Sequence, residues 1–306
     1  MSIPSPRRSV APPVLAWGEG SLRVAEVVRA QQSQLQAVIG RLEAGAADDV
    51  HQGRVAARRL RSILKTFAPL IDERWARMYR MDLRSFARAL GRAREADVLG
   101  AALQGAIGAS DALSPAQLGR LEKSLRRSRT EARDALRKRM AEQPWRGLMK
   151  ALATRSEQPP RIVRTDASMA DVIALVERAW RKPKKQLGRH PEDAAELHEL
   201  RLALKHCRYA LEVVADVEQK SATRLLRRLR RVQDAIGAHR DTISAGQWVR
   251  DQARTLGPQA VQQIEYLMIE REAALRRSAA RQCQKLLPAY EGWRVAMRPV
   301  TRAGRA

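Results

Sequence analysis

Two stretches of this chain carry the same spacing of one histidine and three basic residues. His51 is followed by Arg at three, seven and ten residues, and His198 is followed by Arg, Lys and Arg at the same distances. A Leu/Ile-Gly-x-x-Arg-acid element follows each stretch, at 90–95 and at 236–241. The second element lies 146 positions after the first, and His198 lies 147 after His51, so the register is kept. This repetition predicts an internal duplication of one helical unit.

Helix-forming residues dominate the sequence within and around these motifs. Ala, Leu and Arg have high helix propensity, whereas aromatic residues make up only 4% of the 306 residues. Glycine and proline interrupt the helical periodicity, for example at Gly91, Pro115 and Gly237, as is typical of helix boundaries. The fold class predicted from these patterns is all-α. The predicted helices are 20–44, 50–67, 73–90, 93–107, 115–141, 167–187, 193–216, 219–236, 239–256 and 258–286.

A proline-containing stretch separates the two copies of the motif. Residues 156–166 include two consecutive prolines, which cannot continue a helix, so we predict a linker there. The N-terminus is rich in Pro, Ser and Arg, and the C-terminus is basic. The predicted organisation is a disordered basic tail at 1–16, a first helical bundle at 17–155, the linker at 156–166, a second helical bundle at 167–290 and a basic C-terminal tail at 291–306.

The net charge is the strongest signal in the composition. Fifty-eight basic residues against thirty-three acidic residues give a formal charge of +25. Self-repulsion of this size opposes folding and favours a polyanionic partner: nucleic acid, an anionic membrane or a phosphate polymer. No stretch approaches the roughly 18 apolar residues of a membrane span, and the N-terminus has no signal-like apolar segment. With only Cys207 and Cys283, we expect reduced, buried thiols and a cytoplasmic location.

The spacing of the repeated motif places its cations on one side of a helix. Positions 0, 3, 7 and 10 lie within an arc of about 80°, and the opposite side is apolar in both copies. Neighbouring like charges repel by a few tenths of a kcal/mol, whereas a charged hydrogen bond to phosphate contributes about 1.5–3 kcal/mol. We therefore predict phosphate binding here, and a solvated charged face is the open alternative. The predicted binding residues are His51, Arg54, Arg58, Arg61 and Lys65 in the first stripe and His198, Arg201, Lys205 and Arg208 in the second stripe.

Other basic residues near the two stripes form a second tier of candidates. Arg94 and Arg240 each precede an acidic residue, so structural ion pairs are the alternative for these two. For the histidines of the stripes, the alternative is a packing histidine bonded to a backbone carbonyl. The second-tier residues are Arg84, Arg94, Arg227, Arg230, Arg231 and Arg240.

The repeated motif resembles the conserved histidine α-helical domain (CHAD) family. The resemblance covers about residues 20–290. It implies two antiparallel helical bundles related by a pseudo-twofold axis, with basic residues converging on a central channel. It also implies binding of inorganic polyphosphate, in some members at polyphosphate or storage granules. Beside the two Leu/Ile-Gly-x-x-Arg-acid elements, the matching residues are Val50-His51-x-x-Arg54-x-Ala56-x-Arg58-x-x-Arg61 and Leu197-His198-x-x-Arg201-x-x-x-Lys205-x-x-Arg208-Tyr209-x-x-Glu212.

Two departures from the family pattern bear on what the resemblance implies. Glu95 stands where Asp is more typical, which affects only the position of the expected ion pair. Some relatives are fused to a triphosphate tunnel domain that hydrolyses phosphoanhydrides and carries Glu-x-Glu-x-Lys, and no such string occurs here. We therefore expect a stand-alone binding module that is not an enzyme and uses no cofactor or metal.

Nucleic-acid binding is the main alternative function, because phosphates attract arginine whatever links them. Single-strand recognition usually adds aromatic side chains for base stacking, and the aromatic residues here do not interleave with the stripes. An enzyme is the second alternative, yet the chain has no Gly-x-x-x-x-Gly-Lys-Ser/Thr loop and no zinc-binding helix after His198. Granule scaffolding is compatible with binding. We predict non-catalytic binding of inorganic polyphosphate, with nucleic acid as a weaker partner.

Overall fold

Helices make up nearly all of the described chain. The computed structural model describes residues 17–44, 49–108, 112–189, 191 and 193–303, and no β-strand occurs in those ranges. The predicted all-α fold class is therefore confirmed. The predicted tail at 1–16 lies outside the described residues. The helices are α1 (Glu19–Glu43), α2 (Asp49–Thr66), α3 (Glu73–Ala89), α4 (Gly91–Ile107), α5 (Pro115–Ala141), α6 (Gln143–Glu157), α7 (Met169–Ala179), α8 (Arg181–Leu187), α9 (Ala194–Val213), α10 (Gln219–Asp251), α11 (Ala253–Leu256), α12 (Pro258–Gln284) and α13 (Leu286–Ala303).

Side-chain caps determine where several of these helices begin. Ser114 and Ser168 accept hydrogen bonds from backbone N–H groups three residues later, and each forms a reciprocal capping box at the start of α5 or α7. Asp72 and Asp193 cap α3 and α9 through their carboxylates. Each such cap contributes about 1 kcal/mol. The cap on α9 also positions the second stripe, because this helix carries all four of its residues.

Two hydrophobic cores hold the helices together, and each contains residues from both halves of the sequence. The main core includes buried aromatic side chains such as Tyr79 from the first half and Trp180 from the second. The second core joins α4 and α5 to the end of α10 and the start of α12. Helices of the two halves therefore pack against each other, and the division into a bundle at 17–155 and another at 167–290 stays a prediction. The pseudo-twofold relation between the halves stays a prediction.

The linker predicted at 156–166 overlaps the non-helical segment between α6 and α7. Its prolines prevent a continuous helix. Hydrogen bonds nevertheless tie it to the first half of the chain. The backbone N–H of Asp72 donates to the Arg161 carbonyl at 2.8 Å, and Ser21 Oγ donates to the Arg164 carbonyl at 2.7 Å. The segment is thus a fixed connection between the halves.

A packed helix, α13, replaces most of the tail predicted at 291–306. It runs over Leu286–Ala303, and its Trp293 and Met297 are fully buried. The apolar residues recur every three to four positions, which is the periodicity of a helix with one buried face. The tail prediction is wrong because it rested on basic composition rather than on this period. Helix α6 likewise lies where no helix was predicted.

Helix α10 continues through Gly237, where a helix boundary was predicted. It is unbroken over Gln219–Asp251, so most of two predicted helices form one. An added Cβ at Gly237 would lie 3.2 Å from Nη2 of Arg201. The glycine therefore allows a close approach of this side chain instead of ending the helix.

The cysteines agree with the expectation from composition. Cys207 and Cys283 are free and buried. Burial raises the pKa of both thiols, so both stay protonated at neutral pH. None of the described helices combines the length and the apolarity that crossing a bilayer requires.

Candidate polyanion site

The two helices that carry the stripes, α2 and α9, pack directly against each other. His206 of α9 lies between two hydroxyl groups of α2, with Nδ1 2.5 Å from Ser62 Oγ and Nε2 3.1 Å from Thr66 Oγ1. Burial lowers the pKa of His206 to about 4, so this ring is neutral and serves as a structural link. Arg59 Nε donates to Glu212 Oε2 at 2.9 Å. These contacts hold the two stripes in a fixed relation.

The two stripes line one cavity of about 1760 Å³. Its wall, in the part of the chain that the structure describes, contains thirteen Arg or Lys side chains against four carboxylates, so the cavity is strongly electropositive. Eight of the nine residues predicted for the stripes are in this wall. They are His51, Arg54, Arg58, Arg61, Lys65, His198, Arg201 and Lys205.

Arg58 of the first stripe lies close enough to the second stripe to affect the ionisation of its cations. Burial lowers the pKa of Arg201, and the charge of Arg58 lowers it further. Burial lowers the pKa of Lys205 to about 6, and Arg58 is the largest contributor among the nearby charges. Cations that disfavour one another in this way are stabilised when an anion joins them. The two stripes therefore lie close together along one cavity, and phosphate binding there stays a prediction.

The two histidines of the stripes have matching environments. Burial is the first cause that lowers the pKa of His51, followed by the charge of Arg94. Burial is also the first cause for His198, followed by the charge of Arg240. Because an unperturbed histidine titrates near 6.5, both rings are neutral at pH 7. His198 Nδ1 has no hydrogen-bond partner among the described residues, which argues against a histidine bonded to a backbone carbonyl through this atom.

A glycine makes room for one arginine of each stripe. An added Cβ at Gly91 would lie 3.1 Å from Arg54 Nη1, just as one at Gly237 would lie 3.2 Å from Arg201 Nη2. Arg54 Nη1 also donates to the Ala87 carbonyl at 2.7 Å, which fixes its guanidinium at the wall. The glycine of each Leu/Ile-Gly-x-x-Arg-acid element thus leaves space for an arginine of the His/Arg motif. This contact is a physical reason why the two motifs recur together.

Two residues of the second tier, Arg94 and Arg240, line the cavity. Neither forms an ion pair within the ranges that the structure describes, so the ion-pair alternative is not observed for them. Asp241 lies in the same wall. Burial raises the pKa of this carboxyl, while the charges of Arg201 and Lys205 act in the opposite direction. Its negative charge offsets only a small part of the surrounding positive charge.

Five predicted residues lie outside the cavity wall. Arg208 Nε is 3.6 Å from Glu212 Oε1, and its guanidinium carbon lies 4.8 Å from the centroid of the Tyr209 ring, so Arg208 has a structural role. The residues of α10 that line the wall begin at Arg240. The basic residues that were predicted to bind from this helix lie closer to its start. The other four, all exposed, are Arg84, Arg227, Arg230 and Arg231.

Several basic residues of the wall were missed by sequence reasoning. They come from helices other than α2 and α9, which packing brings to the cavity, and Arg92 occupies a variable position of the first Leu/Ile-Gly-x-x-Arg-acid element. The basic run at 181–185 is a signal that could have identified two of them, although its spacing does not match the stripes. The missed residues are Arg80, Arg92, Arg178, Arg181 and Lys182.

Two aromatic side chains, Tyr209 and Trp248, also line the cavity. No aromatic residue was expected to interleave with the stripes, yet Tyr209 lies beside Arg208 and the tertiary packing of α10 brings Trp248 to the wall. Trp248 Nε1 donates to Ser128 Oγ at 3.3 Å, which orients the indole.

Over the described ranges, no group of three or more His, Cys, Asp and Glu side chains is placed to hold a metal.

Known proteins share the sequence pattern and the fold. A sequence profile of the CHAD domain matches residues 26–250. The uncharacterized protein MT2285 of Mycobacterium tuberculosis (strain CDC 1551 / Oshkosh) is 29% identical over 273 residues, which cover 81% of this chain and 48% of that protein. The chain thus spans about half the length of this curated relative.

Two solved structures have a similar fold. PptA from Streptomyces chartreusis superposes with a TM-score of 0.69 at 21% identity, covering 89% of this chain and 99% of PptA. The CHAD domain from the plant Ricinus communis superposes with a TM-score of 0.66 at 22% identity, covering 92% and 96% of the two chains. At these identities the likeness shows a common fold.

Proposed function

The chain belongs to the CHAD domain family, and from this premise we propose that it binds inorganic polyphosphate in the cavity lined by the two stripes, without hydrolysing it. The family resemblance points to polyphosphate, and the charge of the cavity fits it. A linear polyphosphate presents closely spaced negative charges and acceptor oxygens, and arginine binds such groups through its planar fork of donors.

The convergence of the two stripes is the observation that carries this proposal. Arg58 of α2 lines the same cavity as Arg201 and Lys205 of α9 and affects their ionisation, so the three basic side chains lie close together. Gathering them opposes folding, because each is partly desolvated beside like charges. A phosphate chain between the stripes would remove that repulsion.

We assign the binding residues from the cavity wall. The stripe residues in the wall are the primary contacts, and Arg94 and Arg240 join them from the second tier. Arg80, Arg92, Arg178 and Arg181 extend the basic surface along the wall. We leave Arg208 out, because its guanidinium packs on an aromatic ring. Arg84, Arg227, Arg230 and Arg231 are left out because they are not part of the cavity wall.

The arrangement of the carboxylates supports binding rather than catalysis. Phosphoryl transfer uses carboxylates gathered around metal ions. The four carboxylates of the described wall are distributed over four helices, with Glu95 on α4, Glu131 on α5, Glu199 on α9 and Asp241 on α10. Glu199 is also 3.2 Å from the Lys182 ammonium.

A matched pair of quadruple variants tests the proposal. The test variant replaces Arg54, Arg58, Arg201 and Lys205 by Ala, and the control variant removes the same charges at exposed positions outside the cavity. Calorimetric titration with polyphosphates of defined length should show affinity lost by several kcal/mol in the test variant, at about 1.5–3 kcal/mol per charged contact. The control should bind within a few-fold of the wild type. The control positions are Arg74, Lys123, Arg139 and Arg277.

Equal affinities of the two quadruple variants would overturn the site assignment. Circular dichroism should show the same helicity for both, since none of the eight side chains is part of a hydrophobic core. If neither the wild type nor the control binds polyphosphate of any length, the proposed function itself is wrong.

A nucleic-acid partner remains the second candidate, because Trp248 in the wall is a side chain on which a base can stack. Competition separates the two functions. Under the proposal, long-chain polyphosphate displaces single-stranded RNA at matched phosphate concentration, and RNA does not displace polyphosphate.

We further propose that the chain acts in the cytoplasm and associates with polyphosphate or storage granules through the phosphate polymer itself.

A further inference from the structure

Part of the cavity wall is apolar and belongs to the second core. Leu99 of α4 and Ala245 of α10 are buried members of that core, and Trp248 packs against it. All three also line the cavity. Val98 and Leu202 add apolar surface from α4 and α9. The cavity is therefore basic along the stripes and apolar where the second core meets it.

Leu202 is unusually accessible for an apolar residue in such a wall. It lies one helical turn after His198, and 53% of its surface is exposed. An exposed leucine gives a bare phosphate chain no favourable contact, because phosphate keeps its water or bonds to donors. An apolar group of a ligand would release water from this surface on contact. The leucine thus points to a ligand with an apolar part.

Trp248 provides a flat surface in the wall of the same cavity. Its indole N–H bonds to Ser128 Oγ, so the ring is held at one edge while it remains partly exposed in the wall. At the offset of 146 that relates the two Leu/Ile-Gly-x-x-Arg-acid elements, the residue that corresponds to Trp248 is Ala102. The aromatic surface therefore occurs in one copy of the motif and is not part of the repeat.

From these features we infer that the cavity accepts a polyphosphate chain that carries an aromatic group at one end, namely a nucleoside polyphosphate. The phosphates lie along the stripes, and the base packs on Trp248 and Leu202. The cavity of about 1760 Å³ has room for both parts, because ordinary ligand pockets measure roughly 300–1,000 Å³. The inference rests on the proposed function and specifies the ligand class of the same site.

Adenosine 5′-tetraphosphate and inorganic tetraphosphate are the probes that test the inference. The two have the same number of phosphates, but the nucleoside form has one ionisable oxygen fewer, so electrostatics alone predicts that it binds more weakly. We expect it to bind about tenfold more tightly, the lower part of the range that base–aromatic stacking provides. Quenching of indole fluorescence should accompany its binding and be smaller with inorganic tetraphosphate.

Three single variants assign the effect to the apolar wall. Trp248→Leu keeps an apolar side chain against the second core, and Leu202→Gln changes an exposed position. Both should lose the preference for the nucleoside form while their affinity for inorganic tetraphosphate stays within twofold of the wild type. Ile269→Gln, at a 67% exposed apolar position on α12 outside the cavity, is the control and should keep the preference. Thermal melts establish that each variant is folded.

The outcomes separate this inference from the proposed function. If inorganic polyphosphates bind but the nucleoside form binds no more tightly, this inference is wrong and the proposed function stands. A preference that persists in both Trp248→Leu and Leu202→Gln also overturns it. Tighter binding of a single-stranded oligoadenylate than of adenosine tetraphosphate would overturn it in favour of nucleic acid. Failure of both phosphate probes and of longer polyphosphates rejects both proposals.

Discussion

Lys205 shows how the chemistry of a single residue depends on its neighbours in the cavity. Burial is the first cause that lowers its pKa, and the charges of Arg58, Arg201 and Arg208 lower it further, against the opposing effect of Asp241. At about 6, the pKa lies below physiological pH, so the amine is mostly neutral in the free protein. A bound polyanion reverses this balance, because it favours the charged amine.

Polyphosphate binding should therefore be accompanied by proton uptake at Lys205. Between pH 6 and 10.5, this amine is protonated in the unfolded chain and neutral in the free folded protein. The residue therefore makes the free energy of unfolding rise with pH in that window. Binding restores the proton, so affinity should fall as the pH rises above 6. Calorimetry at pH 8 in two buffers of different ionisation enthalpy measures the uptake.

Lys205→Arg is the control for this pH effect, because arginine stays protonated throughout the window. The variant should bind polyphosphate with less proton uptake than the wild type. Any uptake that it retains belongs to groups such as His51 and His198. Equal uptake by the wild type and Lys205→Arg would contradict the assignment to Lys205.

At the scale of elements, α10 combines packing with positioning of the site. Its first part packs into the main core, its last part into the second core, and Arg240 and Asp241 between them line the cavity. Gly237 lies at the turn before this central part, against the guanidinium of Arg201. The helix can therefore affect binding through the space that it leaves for a residue of α9.

Gly237→Ala should lower the affinity for polyphosphate with little loss of stability. Alanine in a helix interior is more favourable than glycine by about 0.5–1 kcal/mol. The cost of displacing the flexible Arg201 side chain acts in the opposite direction, so the free energy of unfolding should fall little. The added methyl group displaces the Arg201 guanidinium, and polyphosphate affinity should fall several-fold. Chemical denaturation and titration measure the two effects.

Gly246→Ala on the same helix is the matched control. An added Cβ there would meet only Arg250 Nη1, at 3.9 Å, which is an ordinary contact. Its affinity should equal that of the wild type. A similar loss of affinity in both glycine variants would show that α10 acts through its backbone and not through Arg201.

At the scale of the whole molecule, a net charge of +25 makes every polyanion attractive to some degree. The fold distributes this charge unevenly. Many basic residues lie on exposed helix faces, while those of the cavity wall are brought together by the packing of α2, α9 and several other helices. Specific binding and general attraction should therefore differ in their dependence on salt.

Salt dependence of polyphosphate binding should separate the cavity from the rest of the surface. A contact to a flexible phosphate strand contributes about 0.7 to the slope of log affinity against log salt, by analogy with single-stranded nucleic acid. The variant that lacks Arg54, Arg58, Arg201 and Lys205 should lose about 3 from the magnitude of this slope. The charge-matched surface variant should lose much less. Titrations at three or more salt concentrations measure the slopes, and equal losses would place the binding on the surface as a whole.

The sequence by itself determined the helical class, most helix positions and the alignment of cations along α2 and α9. These properties are local: a spacing of three, seven and ten residues becomes one side of a helix wherever a helix forms. The periodicity of Trp293 and Met297 was equally local, and α13 was missed because composition was given more weight than spacing.

Only the tertiary structure decided that the two stripes line one cavity, that helices pair across the halves and that Trp248 joins the wall. The low pKa of Lys205 has the same origin, since it depends on burial and on charges far away in the sequence. Arg208 shows the converse, because it lies on the same side of α9 as the other stripe residues, yet its guanidinium packs on the Tyr209 ring and is not part of the cavity wall. Which faces meet depends on contacts between distant segments, and these contacts are not recorded in the periodicity of any one helix.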